Sequence, residues 1–132
     1  MKYKLLPVGN LIFDKQLYLI QSLENFDDIK IGDFGGYIET EKNLSQEGKC
    51  WLYPNSIIVD DAKVTGNAKI FNLSTICVDA VVSGDAWISN SLIAGNSIIS
   101  GFSLIENCYI VGNSYVTNQH HLKDDKLIKL FH

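Results

Sequence analysis

The sequence predicts an all-β fold: a three-sided parallel β-helix of about four coils, with a small N-terminal β cap and a short C-terminal tail. Three observations predict it. Small residues recur every six positions at Cys50, Ser56, Ala62, Ala68, Ser74, Ala80 and Ala86, and continue at Ser91, Ser97, Ser103, Cys108 and Ser114. Two positions after each stands an aliphatic residue: Leu52, Ile58, Val64, Ile70, Ile76, Val82, Ile88, Ile93, Ile99, Ile105, Ile110 or Val116. Turn pairs often precede the small residue, as in Asp60-Asp61, Gly66-Asn67, Gly84-Asp85, Gly95-Asn96 and Gly112-Asn113.

Residues two apart lie on the same side of a strand, so each small–x–aliphatic unit presents one apolar face. A strand of that length cannot bury its face alone. Stacking the units at about 4.8 Å places each aliphatic over its equivalent and pairs the backbone groups between coils. Gly, Asn and Asp tolerate the left-handed backbone that tight corners need. The steps from Ile88 to Ile93 and from Ile105 to Ile110 are five residues, and these short steps lie 17 apart. That is one three-unit coil less one residue, so the coil has three sides.

Taken in order, residues 1–49 read as a β-strand cap, with strands at Tyr3–Val8, Leu17–Leu23 and Tyr37–Glu39 and turns at Gly9-Asn10 and Gly35-Gly36. Such a cap covers an otherwise aggregation-prone coil edge. Residues 50–117 are the β-helix. Residues 118–132 form a tail or capping segment carrying Leu122, Leu127, Ile128, Leu130 and Phe131.

The pattern G-[DN]-[AS]-x-[IV]-x resembles the hexapeptide-repeat left-handed β-helix proteins. The opening Gly32-Asp33-Phe34-Gly35-Gly36-Tyr37-Ile38-Glu39, followed by Asn43-Leu44-Ser45 and Gly48-Lys49-Cys50-Trp51, resembles the phage- and prophage-encoded group among them. The resemblance spans roughly Leu17 to Thr117. It implies the left hand, an exception to the usual right-handed crossover. Many members are acyltransferases with a histidine general base, and others bind a metal through three histidines. This chain has no histidine between Leu11 and Gln119; its three are His120, His121 and His132. On that ground the sequence is read as non-enzymatic, with no catalytic residue, cofactor or metal. His120 and His121 would point opposite ways on an extended chain beside Asp124 and Asp125, a poor arrangement for one ion.

The outward positions sort into three columns. One holds Trp51, Lys69, Trp87 and Leu104, flanked by Tyr53, Phe71, Ser89 and Glu106. Trp51 and Trp87, with Lys69 between them and the acidic Asp27 and Asp28, are candidate partner-binding residues, as a stacking platform for a sugar or base, the alternative being that the rings pack beneath the N-terminal segment. A second holds Ile57, Thr75, Leu92 and Tyr109, flanked by Val59, Cys77, Ala94 and Val111. It carries no charge, which predicts a self-interface in a homodimer or trimer, the alternative being that the N-terminal segment or the C-terminal tail lies over it. The third, with Thr65, Ser83, Ser100 and Thr117, lacks a paired threonine array. Cys50 and Cys108 occupy inward slots, and three cysteines without CxxC spacing indicate neither a disulfide framework nor zinc.

A net charge of −4 argues against a nucleic-acid partner and suits a basic one. No apolar run reaches the ~18 residues that span a bilayer, and no secretory leader is evident, so a cytoplasmic protein is expected. The function expected is protein–protein interaction, with a bacterial host protein as partner. Inhibition of a host defence system, as by an anti-CRISPR, is the specific form. A self-assembling structural protein and a degenerate acyltransferase using Asp or Glu are the alternatives.

Overall fold

The computed structural model describes residues 1–8, 14–118 and 121–124. Among them the chain forms strands and a single 3-10 turn, Glu41–Asn43, with three sheets wrapped as a β-solenoid of about five turns. The first sheet has seven strands: β1 (Tyr3–Pro7), β2 (Tyr18–Ser22), β3 (Phe34–Ile38), β5 (Ile57–Ile58), β8 (Thr75–Ile76), β11 (Leu92–Ile93) and β14 (Tyr109–Ile110), adjacent in that order. The second runs β4 (Trp51–Leu52), β7 (Lys69–Phe71), β10 (Trp87–Ser89), β13 (Leu104–Glu106) and β16 (Leu122–Lys123). The third runs β6 (Lys63–Val64), β9 (Val81–Val82), β12 (Ile98–Ser100) and β15 (Tyr115–Thr117).

The pairing follows the expected columns. Ile57, Thr75, Leu92 and Tyr109 stack in parallel register, as do Lys63, Val81, Ile98 and Tyr115. The inward aliphatics from Leu52 to Val116 are buried, together with the small residues that precede them. Inward serines are satisfied locally: Ser97 and Ser114 donate to the carbonyls of Ala94 and Val111 three residues back, at 2.8 and 2.7 Å. A hydroxyl can therefore occupy the small slot without an unpaired buried group.

The stack starts earlier than Cys50. Strand β3 pairs in parallel with β5, Tyr37 against Ile57 and Ile38 against Ile58, and Leu44 bridges Val64. This turn raises the count from four to about five. Gly35 and Gly36, expected as a turn, lie inside β3. They are needed for close approach: a Cβ on Gly35 would meet the Leu52 carbonyl, and one on Gly36 the Ser56 carbonyl. Gly9-Asn10 and residues 125–132 lie outside the described residues, so the expectations for them do too. Leu122–Lys123 continues the coil, pairing with Ile105 and Glu106.

The cap is an antiparallel meander. Strand β1 pairs with β2, and β2 with β3, before the chain turns parallel. It is pinned to the first coil by buried polar groups. The Lys2 ammonium, 2% exposed, donates to the Cys50 carbonyl at 2.7 Å, and burial holds its pKa down. The Tyr3 hydroxyl donates to the Leu44 carbonyl. Gln46 accepts from the Lys2 and Tyr3 amides at 2.8 and 3.1 Å.

Candidate functional site: the aromatic face

The second sheet presents the most chemically varied outer surface. Its side chains stack because strands β4, β7 and β10 hold equivalent positions one coil apart. Tyr53 and Phe71 stack with ring centroids 4.4 Å apart, and Phe71 meets Trp87 at 5.4 Å. Above them the loop around Asp27 and Asp28 folds across the start of the sheet. Together these residues, with Lys49, Asn67, Lys69 and Asp85, line a cavity of about 560 Å3.

The loop is held by charge. Lys69 Nζ lies 2.7 Å from Asp27 Oδ2, donates to the Lys49 carbonyl, and sits 5.3 Å from the Phe26 ring centroid. Its hydrogen bond holds the Asp27 carboxyl below the usual carboxylate range, with the Lys69 and Lys49 charges adding to the effect. Lys69 is only 6% exposed, so its outward position is a covered lysine paired with the more exposed Asp27 rather than an open contact point. Asp28 accepts from the Tyr53 hydroxyl at 2.6 Å; burial first, then that bond, pushes the Tyr53 pKa up.

The two tryptophans of this column differ. Trp51 is fully buried, edge-on to Phe26 at 5.5 Å and to Tyr3 at 6.5 Å, beneath the N-terminal segment. Trp87, two coils along, is 51% exposed. It borders a further small cavity of about 160 Å3 with Asp85, Phe102, Ser103 and Leu104, and another with Phe71, Leu104 and Glu106. Trp87 therefore borders three cavities of this face, one beneath the Asp27 loop, one beside Phe102 and one beside Glu106. At the far end His121 Nε2 lies 3.6 Å from Glu106 Oε1, and Lys123 Nζ lies 4.0 Å from Glu106 Oε2. Phe102, Asp85, Glu106 and His121 were not singled out as site residues by the sequence. The repeat places Leu104 and Glu106 on this face, but Phe102 sits at a corner and His121 beyond the last complete repeat.

On the first sheet, Ile57, Thr75, Leu92, Cys77, Ala94 and Val111 are half-buried, Val59 is buried and Tyr109 is 44% exposed. Burial raises the Cys77 thiol pKa. All three cysteines are free thiols. Among the described residues no group of three or more His, Cys, Asp or Glu side chains could hold a metal ion, and no helix is long and apolar enough to cross a membrane.

No family model matches the chain. One curated protein, described as the uncharacterized acetyltransferase YdcK of Escherichia coli strain K12, is 38% identical over 58 residues, 43% of this chain. The matched stretch spans 18% of that protein's length. A relative named as an acetyltransferase and a three-sided solenoid fit a hexapeptide-repeat β-helix. The match corrects the expectation of a non-enzymatic protein, because the relative is named for an enzymatic activity. That expectation rested on the missing histidines within the repeats. The coil, however, continues to Lys123 and carries His121 against Glu106.

Proposed function

We propose that this chain is an acyl-transfer β-helix whose acceptor lies along the aromatic face. The observation that carries the reading is the imidazole–carboxylate pair, His121 and Glu106, in which Glu106 also borders the cavity that Trp87 and Phe71 line. The name of the YdcK relative supports the same chemistry. In that chemistry an acceptor hydroxyl or amine attacks the carbonyl carbon of an acyl thioester. The new C–O or C–N bond forms, the C–S bond breaks, and the thiol leaves with a proton. His121 takes the acceptor's proton, the Glu106 carboxylate stabilises the imidazolium, and the imidazolium hands that proton on to the departing thiolate. Trp87 and Phe71 supply apolar surface that orients the acceptor.

The test is release of free coenzyme A from acetyl-CoA in the presence of a panel of hydroxyl and amine acceptors. His121→Ala is expected to lower turnover by about 10²–10⁴-fold, the range for loss of a general base. Unchanged turnover in that variant, or no acceptor-dependent release with any acceptor, would refute the reading.

The charge-free first-sheet face supports a second, compatible reading: the coil pairs with itself through Ile57, Leu92 and Tyr109, and with the acidic Asp27–Asp28 loop engages a basic host protein. The phage-type opening motif suits inhibition of a bacterial defence system, as by an anti-CRISPR. A monomeric mass by light scattering counts against the self-pairing. Failure to retain any stoichiometric host protein from nuclease-treated bacterial lysate counts against the inhibitor.

A further inference from the structure

We infer that the charge-free face of the first sheet is closed by a second copy of this chain, with Leu73 and Val78 as the central contacts. The inference rests on the self-pairing reading stated above and names the residues that decide it.

Leu73 and Val78 stand at the two corners that bound β8. Both are exposed, at 71% and 44%, and both have left-handed backbone, with φ of 54° and 62°. Equivalent corners in the other coils carry residues suited to that backbone. Asn55, Asn90, Asn107 and Asp124 occupy the Leu73 corner, and Asp60, Gly95 and Gly112 the Val78 corner. A branched aliphatic residue there is strained by its own Cβ and gains little burial in the single chain. Strain of this kind persists where a contact compensates for it. Asn or Gly at either corner would leave an isolated coil less strained, so the aliphatic pair points to a contact outside the chain.

Position argues that the partner is the same chain. Strand β8 is the third of the five first-sheet strands in the stack, β3, β5, β8, β11 and β14. The two anomalous corners therefore fall at the middle of the face. The axis of a symmetric pair that buries the whole face passes there, and binding energy concentrates there. Between the corners the face presents half-buried Thr75 and Cys77, with Ile57 and Leu92 on the adjacent coils. None is charged, so the face calls for no charge on its partner and meets no like charge when it meets its copy. The rims agree. Asp60, Asp61 and Asp79 line the Val78 side, with Lys15 offsetting Asp60, whereas Asn55, Asn72 and Asn90 line the Leu73 side. A two-fold axis along the coil lays the acidic rim of each copy on the amide rim of the other, and asparagine amides donate to carboxylates.

The experiment is sedimentation equilibrium of the full chain from about 1 µM to about 1 mM, with Leu73→Asn, Val78→Gly and the double variant. Each substitution installs a residue that the fold already uses at that corner, and far-UV circular dichroism checks folding. A native dimer is expected. Either single variant weakens it about tenfold, as for loss of one buried aliphatic contact, and the double variant is a monomer. At dilutions where the native chain is dissociated, Leu73→Asn unfolds at no lower urea concentration, which separates loss of pairing from loss of fold. A native chain that stays monomeric throughout the range overturns self-pairing and this inference with it. A native dimer that the folded double variant retains overturns the inference alone and leaves self-pairing standing.

Discussion

Replacing Gly36 by alanine adds one methyl group at the join between cap and coil, and its cost follows from the local geometry. A Cβ there would meet the Ser56 carbonyl oxygen, which is backbone, and two Leu52 side-chain carbons at 2.9 Å. That carbonyl accepts the Tyr37 amide at 3.0 Å, one of the bonds that dock β3 on β5. The strand must move away, and that bond stretches or breaks. Overpacking a close-packed site costs about 1–3 kcal/mol, and a lost backbone hydrogen bond about 1 kcal/mol more. The expected destabilisation is therefore about 2–4 kcal/mol. Gly32→Ala is the matched control: nothing lies within 4 Å of its Cβ position, and its φ of +95° alone is unfavourable, at about 1 kcal/mol. Urea unfolding of both variants, followed by far-UV circular dichroism, gives the comparison. If Gly36→Ala costs no more than Gly32→Ala, β3 does not pack against the first coil as described.

Two further predictions concern the corners. Leu73, 71% exposed, has φ of 54° and occupies the corner held by Asn55 one coil earlier and Asn90 one coil later. Leu73→Asn removes the strain of a bulky left-handed residue and places an amide beside the Asn90–Asn107–Asp124 ladder; a gain of about 1 kcal/mol in urea unfolding is expected, and a loss would count against it. Asp60 has its carboxyl pKa lowered, first by the hydrogen bond from the Val78 amide and then by Lys15. A depressed folded pKa contributes stability above the unfolded value, near 4, that is lost as pH falls through the folded value. Asp60→Asn is expected to flatten the fall in urea midpoint below pH 4, and an unchanged slope there would remove Asp60 as a contributor.

The sequence revealed the repeated part of the molecule and obscured the unrepeated part, for a physical reason. Inside the coil each side chain's environment is set by its copies one turn away. Ile58, Ile76, Ile93 and Ile110 could thus be aligned, including the change from 18- to 17-residue turns. The first turn was less visible. Gly36-x-Ile38 fits the small–x–aliphatic unit and Leu44 follows six later, but the next step, to Leu52, is eight residues and interrupts the period. Lys69 and Trp51 show the same limit. Both occupy outward positions of the repeat, yet both are buried by the Asp27 loop and the N-terminal strands, whose docking no periodicity encodes.

The cap places its contacts early in the chain. Lys2 reaches Cys50, Tyr3 reaches Leu44, and every later coil rests on the one 17 or 18 residues before it. A chain leaving the ribosome therefore presents a finished template soon after residue 58 emerges, and each new turn can anneal to the last while the rest is still being made. Assembly is vectorial, and loop closure for each turn stays short. A stalled nascent chain carrying whole turns should therefore already resist protease up to its last complete coil.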